Sequence, residues 1–477
     1  MHKPERIFAR DPEWAHLTRF ATTSVPRPQL GVVSGRRRQG KTYLVEALAE
    51  QAGGLYFGAT QAVEAESLGL FAAAVGRHLD LPAPPRFDGW DDAIRYVFAL
   101  PDSAGPVVID EFPYLSRMSP ALPSILQREI DRAASSGRRT KLLLCGSALS
   151  VMGGLLSGTA PLRGRANLEL VVKPFDHRLA AQYWQVDDPR LAVMLHSVVG
   201  GTPAYRRFVN DDGPSSVRRF DDWILRTVLS PASPLFREAR YLLEEETEIR
   251  DSALYHSVLA AVANGNGTRG GVAGYVGRKA TDIGHHLSVL EDSGLLRRDR
   301  DIFRSGRSYY RVAEPLVVFY QVVMRPQWGL LESDRAENVW AAARPRFASQ
   351  VIGPHFEQLC REFAMTAPAD LFGGLPGEIG AGVVADRSRR TQLEIDVVVL
   401  GPAEGGQRRK LLSLGEAKWG EVMNRRHVQR LERARDLLAE KFDTSETVLA
   451  CYSGAGFADD LDPEVRKIGL AELYGAS

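Results

Sequence analysis

Over roughly the first 175 residues, short continuous apolar runs alternate with amphipathic stretches. The runs are LGVVSG, LYFGA, PVVID, KLLLCGS and LELVVKPF. Unbroken apolar runs of this length are the mark of parallel strands buried on both faces, which helices must connect. The pattern predicts a doubly wound α/β domain over residues 1–175. From 176 to 240 no such run recurs. The spacing there predicts helices, with a loop at Val199, Gly200, Gly201, Thr202 and Pro203. Residues 241–330 carry three helical patterns. Leu254, Val258, Leu259 and Val262 share one helix face, and Ile283, Leu287 and Leu290 share another. LLRRDRDIFRSGRSYYRV comes next and reads as a two-stranded ribbon, so this segment has the pattern of a winged helix. The polar stretch at 331–345 is expected to be a linker. Residues 346–477 predict a second α/β domain: a helix around 356–363, strands near 380–385, 392–400 and 410–417, a charged helix over 422–441, and a last strand at TVLACYS.

Composition narrows the class without naming an activity. At 477 residues, with 44% hydrophobic and 25% charged side chains, the chain suits several globular cores. A net charge of +1 announces no nucleic-acid partner, so any such partner must be argued from a local site. Cys145, Cys360 and Cys451 have no paired spacing and suggest neither disulfides nor structural zinc. The charged opening MHKPERIFARDPEWAHL is not patterned as a secretory signal, and PLVVFYQVVM is too short to span a bilayer and contains Gln321. The expected location is the cytoplasm, with no membrane partner.

The strongest chemical signal is residues 35–42, GRRRQGKT, which match the G-x-x-x-x-G-K-[ST] phosphate loop between an apolar strand and a helical stretch. Glycines let the backbone wrap phosphate oxygens, and the N–H groups at the helix start attract their charge. Gly35, Gln39, Gly40, Lys41, Thr42 and Tyr43 are expected to line ATP, with Lys41 on the β- and γ-phosphates and Thr42 on Mg²⁺. Arg36, Arg37 and Arg38 read as solvated loop charge. The apolar strand PVVID ends in Asp110 and Glu111. Asp110 is expected to hold Mg²⁺ through water, and Glu111 to orient or deprotonate the attacking water. Ser147 ends the strand KLLLCGS, where it is either a γ-phosphate sensor or a small turn residue. Arg165 either neutralises transition-state charge or is an ordinary surface arginine.

VVSGRRRQGKTYLVEALAE, VVIDEFPYL, KLLLCGSALSVM, PLRGRANLEL and VVGGTPAYRRF together resemble the archaeal-type ATPase family, P-loop NTPases related to the STAND and AAA classes. The resemblance implies ATP binding and hydrolysis, a helical lid, a winged helix, and commonly a C-terminal domain like a restriction endonuclease. In the winged-helix segment Arg278, Lys279, Thr281, His285, His286, Arg304 and Arg307 suit phosphate and base contacts. Asp282, Glu291 and Asp292 dilute that field, and winged helices also serve as protein contacts.

Near the C-terminus, EIDVVVL carries Asp396, and Glu416 and Lys418 end the next apolar strand. Period-two geometry sets Glu416 and Lys418 on one sheet face. Asp396 and Glu416 are hard oxygen ligands suited to Mg²⁺ or Mn²⁺, with Glu357 upstream as a further acid. Lys418 would orient water or stabilise developing charge. Asp with Glu-x-Lys after it resembles the PD-(D/E)xK nuclease superfamily, although Ile395 stands where the name has proline. Two readings are open. In one, ATP hydrolysis is coupled to binding or metal-dependent cutting of DNA or another nucleic acid. In the other, a STAND-type switch sets two conformations by nucleotide, and a catalytically silent nuclease-like domain binds a nucleic-acid or protein partner. Assembly into an oligomer is compatible with either.

Overall fold

All five N-terminal apolar runs are strands in the computed structural model: β1 (Gln29–Ser34), β2 (Leu55–Gly58), β3 (Val107–Asp110), β4 (Lys141–Gly146) and β5 (Ala166–Val171). They form one sheet in the order β2-β3-β4-β1-β5, and every neighbouring pair is parallel. Alternation along the strands feeds two cores. Leu30, Val32, Ile109, Leu142 and Leu144 meet Phe71, Trp90 and Leu126 on one face. Val33, Val108, Leu143 and Cys145 meet Trp14, Leu17, Leu44 and Leu48 on the other. β1 and β3 are buried along their whole length, whereas the edge strand β5 alternates half-buried and exposed residues, as an edge does.

The structure describes residues 1–244, 252–403, 405 and 407–475. They divide into two compact units, Met1–Pro174 and Phe175–Ser477. The second opens with helices His177–Trp184, Pro189–Val199, Ala204–Phe208, Phe220–Arg226 and Pro234–Glu244. Asp176 caps the first of these, accepting from Arg178 N at 3.0 Å and Leu179 N at 2.8 Å, and Asp188 caps the second ahead of Pro189. The expected loop at 199–203 is present. Gly201 is required there, because any Cβ would strike the Phe175 carbonyl. The junction expected at 240/241 leads into residues 245–251, which lie outside the described residues.

Helices Ser252–Ala263, Arg269–Val276 and Ala280–Asp292 come next, and then the antiparallel pair β6 (Leu296–Arg300) and β7 (Ser308–Val312). The turn between these strands is not free. Ile302 N donates to Ala381 O at 3.1 Å, and Asp301 accepts from Val383 N at 3.4 Å, so the turn lies against the edge strand β8 (Glu378–Asp386). A second, mixed sheet has the order β12-β11-β10-β9-β8. Its other strands are β9 (Thr391–Leu400), β10 (Leu411–Lys418), β11 (Val448–Ser453) and β12 (Arg466–Ile468). β8, β9 and β10 run antiparallel; β10, β11 and β12 run parallel.

Two expectations fail in the second unit. Residues 331–345 are not a linker, for helix Ala336–Arg346 buries Val339, Trp340 and Ala343, and Trp340 Nε1 donates to Asp221 at 2.9 Å. Its few apolar residues fall on one face, so a polar sequence still packs. Nor are 176–240, 241–330 and 346–477 each built wholly on a core of their own, although one face of the C-terminal sheet packs separately, around Ile395, Leu414 and Leu431. One cluster joins Trp223, Phe236, Leu259, Leu287, Trp340, Phe356 and Tyr452. PLVVFYQVVM lies inside this core as helix Pro315–Phe319 and a π turn, Tyr320–Met324. Among the described residues no helix is long and apolar enough to cross a membrane.

Within the second unit, His196 Nδ1 and His355 Nε2 are 2.8 Å apart. One ring must donate and the other accept, so a second proton has no place. Burial pushes His196 from 6.5 down to about 3 and His355 well below its ordinary value. A histidine whose folded pKa is lowered has no linkage effect above about 6.5 and costs stability as pH falls toward the folded value, because the unfolded chain takes up the proton first. Stability should therefore drop between pH 6.5 and 4 in thermal melts. His355→Gln should melt lower at neutral pH yet lose less over that interval; an equally steep acid limb in the variant would remove the pair as its cause.

Candidate functional site

β1, β3 and β4 deliver their C-terminal ends side by side, and three of the sequence signals leave the sheet from that edge. After Ser34 the chain turns through Gly35, at φ 147°, and reaches Gly40, at φ 86°, which starts helix Lys41–Ala52 with no side-chain cap. Gly35 is needed because a Cβ there would meet the Val172 carbonyl. An uncapped first turn leaves N–H groups for an anion. Lys41 is 5% exposed, and its amine donates to Arg36 O at 2.7 Å. Burial lowers its pKa, opposed by Cys145, Glu111 and Asp110. Thr42 and Tyr43 are exposed on the first turn of the helix.

Asp110 is 2% exposed. Its Oδ2 accepts from the Tyr56 hydroxyl at 3.1 Å and its Oδ1 from Glu111 N at 2.9 Å. Glu111 sits at φ 52°, ψ 39°, a left-handed conformation that is strained for a residue with a Cβ and tends to mark functional turns. Its carboxylate accepts from Ser147 Oγ at 3.2 Å. Burial, then Asp110, raises the Glu111 pKa. Lys41, Asp110, Glu111 and Ser147 are thus one cluster. Arg165 is engaged elsewhere: Nε and Nη2 donate to the two oxygens of Asp131 at 2.8 and 2.7 Å.

Three residues at this edge carry no sign of their role in the sequence. Tyr56 orients Asp110 from β2. Arg10 is buried and donates to Gln39 O at 3.2 Å, tying the N-terminal segment to the loop. Arg37 is not the solvated charge expected: it is half-buried, donates to the Tyr114 hydroxyl at 3.3 Å, and its charge reaches Lys41 and Glu111. Arg36 and Arg38 are half-buried as well.

A second cluster forms in the C-terminal sheet. Val397 of β9 pairs with Gly415 of β10, so the next step sets Asp396 by Glu416. Asp396 Oδ2 accepts from Ala417 N at 2.9 Å and from Lys418 Nζ at 3.3 Å. Lys418 also meets Glu416 Oε1 at 2.9 Å, and Arg430 Nη1 meets that same oxygen at 3.3 Å. The other oxygen, Oε2, is buried with no hydrogen-bond partner. Burial and Asp396 raise the pKa of Glu416 and bring Glu357 to about 7. Arg361 joins from the helix of Glu357, donating to Asp396 O at 2.7 Å. Next to Lys418, Trp419 lies between the Phe356 ring, 5.6 Å away, and the Arg190 guanidinium, 4.6 Å away, which fixes the end of β10.

Among the described residues, no three His, Cys, Asp or Glu side chains are gathered into a metal cage. The expected set of Asp396, Glu416 and Glu357 is therefore corrected to two carboxylates with a third acid held close by. Glu357 is half-buried, and the charges of both Asp396 and Arg361 reach it. Two carboxylates still suit magnesium, which keeps several waters and rarely uses an all-protein cage. The orphaned Glu416 Oε2 is the atom that such an ion would satisfy.

In the segment 278–307, Arg278, Lys279, Thr281, His285 and Arg307 are exposed. His286 is half-buried against the Tyr255 ring, 5.0 Å away, and Arg304 is half-buried in the turn that rests on β8.

No family model matches the chain. It is 28% identical over 337 residues to an uncharacterized protein of Methanocaldococcus jannaschii, covering 70% of this chain and 72% of that one. Among solved structures it is similar to a Walker-type ATPase of Pyrococcus abyssi, at 19% identity and a TM-score of 0.51, over 67% of this chain and 97% of that one. A looser likeness, at 15% identity and a TM-score of 0.41, is to the ORC2 protein of Aeropyrum pernix, over 72% of this chain and 96% of that one. At 19% identity the likeness to the Pyrococcus abyssi protein is one of fold alone.

Proposed function

We propose that the chain binds and hydrolyses ATP with magnesium on the first sheet, and that the second sheet carries a metal-dependent site for nucleic-acid phosphodiesters. The observation that carries the first part is the convergence of Lys41, Asp110, Glu111 and Ser147 where an uncapped helix faces a glycine-bounded loop. In this reading the residue 35–42 backbone and Lys41 hold the phosphates, and Thr42 and Asp110 hold Mg²⁺, which neutralises charge developing on them. Glu111 takes the proton of the attacking water, and Ser147 holds its carboxylate in place. The likeness to the Pyrococcus abyssi Walker-type ATPase supports the fold on which this rests. Arg165 enters only by leaving Asp131, so its role as a finger requires a rearrangement.

For the second part, Asp396 and Glu416 would hold a divalent cation, which supplies a Lewis acid at a scissile phosphate. Lys418, fixed between both carboxylates, would stabilise the negative charge that forms there. Glu357, whose carboxyl is pushed up to about 7 by burial and by Asp396, would carry a proton beside them. Residues 1–175 then form the ATPase core, 176–240 its lid, 241–330 a winged helix that meets β8 through its wing, and 346–477 the nuclease-like domain. Incubating the purified chain with DNA and RNA under Mg²⁺ or Mn²⁺, with Lys418→Ala as control, tests this part. Cleavage that is lost by at least about a hundredfold in the variant is expected. No cleavage with either metal would leave a nucleotide-controlled binding module, and equal cleavage by the variant would place the activity elsewhere.

A further inference from the structure

We propose that Arg430 has two stations: on Glu416 while the C-terminal site lacks a divalent cation, and on the nucleic-acid phosphate once one is bound. This rests on the reading that Asp396 and Glu416 take a metal. The two cations on Glu416 Oε1 are unlike each other. Lys418 is anchored to both carboxylates, at 2.9 and 3.3 Å, and is 29% exposed. Arg430 is 43% exposed, reaches Glu416 at 3.3 Å, and otherwise donates to Glu394 O at 2.9 Å. It stands on helix Arg425–Leu438, one turn before Arg433. Arg433 is locked, donating to both oxygens of Asp386 at 2.9 and 3.1 Å and to Ser388 at 2.8 Å. The helix is therefore pinned by one arginine while the other keeps a weakly held, solvent-facing guanidinium over the acids.

Charge balance decides between the two stations. Glu416 is 1% exposed with one oxygen unpartnered, so Lys418 and Arg430 compensate a buried anion on one side only. A divalent ion on the carboxylates takes over that compensation and repels the guanidinium at short range. Lys418 is held by two carboxylates and is the less exposed of the two cations, whereas Arg430 has only Glu416 of the pair and can swing outward from a fixed helix. A guanidinium matches two phosphate oxygens with two parallel N–H donors, which an ammonium does not. The freed group thus meets the phosphodiester at the rim of the site.

The experiment compares the full chain with Arg430→Gln and Arg430→Lys. Calorimetry with Mn²⁺ alone reads the first station, and binding of a mixed-sequence DNA duplex in Ca²⁺ reads the second. Arg430→Gln should bind Mn²⁺ on the order of three- to tenfold tighter, because a competing cation is gone. It should bind DNA about tenfold weaker, because a charge-assisted pair is gone. Arg430→Lys should return Mn²⁺ affinity toward that of the parent without restoring DNA affinity. Unchanged or weaker Mn²⁺ binding by Arg430→Gln, or unchanged DNA binding, overturns the proposal. If the parent takes up no Mn²⁺, or Asp396→Asn takes up as much as the parent, the metal-site reading itself fails.

Discussion

Glu111→Gln should bind ATP·Mg with nearly parental affinity and hydrolyse it about 10²–10⁴-fold more slowly, the usual loss on removing a general base. The backbone is the first reason. Val107–Asp110 is buried, and the chain leaves it through a left-handed residue that is not glycine. That turn sets Glu111 beside Ser147 rather than out in solvent. Burial and the neighbouring Asp110 charge raise its affinity for a proton, which makes it a stronger base than a free carboxylate. Gln keeps the shape and the hydrogen bond to Ser147 but takes no proton. The groups proposed to hold the phosphates, Lys41 and the loop amides, are unchanged. Calorimetry with ATP and steady-state phosphate release separate the two quantities. Turnover at the parental rate would move the base to another residue, and loss of binding would mean that Glu111 holds the turn together.

What sequence revealed and what it hid divide along physical lines. Strands β1, β3 and β4 are buried on both faces, so their apolar runs are unbroken and visible. The phosphate loop is visible because its glycines answer a local backbone demand. Tyr56 and Arg10 were not, because each acts on a partner 54 or 29 residues away, and one ring or guanidinium among many carries no local pattern. Arg430 is hidden for the same reason: it reads as one charge of a solvated helix until β9 and β10 bring Glu416 beneath it. The 331–345 segment misled because Val339, Trp340 and Ala343 are few and are flanked by charge. The turn after β6 misled differently. Its arginines look like a free wing, yet Asp301 and Ile302 bind the open edge of β8. An exposed sheet edge needs cover, and which segment supplies it is a fact of tertiary packing alone.

Lys41→Met should lose ATP while gaining stability without it. Lys41 is 5% exposed, and burial has lowered its pKa, so the fold retains a poorly solvated ammonium that donates to Arg36 O. Methionine fills a similar volume without a charge to desolvate. The melting temperature of the nucleotide-free variant should rise by a few degrees, consistent with a gain of about 1 kcal/mol. Linkage gives the same sign. A base whose folded pKa is depressed costs stability at neutral pH, and the cost fades as pH rises through the folded value toward 10.5. The variant should therefore be the more stable protein at pH 7, with the difference shrinking at high pH. With ATP·Mg present the order should reverse. The parent should gain stability by mass action as nucleotide is raised, while the variant, lacking the cation proposed for the β- and γ-phosphates, should bind at least about a hundredfold more weakly and shift little. Melts across a nucleotide series measure both effects together. A variant stabilised by ATP as much as the parent would take Lys41 out of the nucleotide site. A variant less stable than the parent without ATP would show that the lysine serves the fold, and that the strain of keeping a charge in that place is not held in reserve for phosphate.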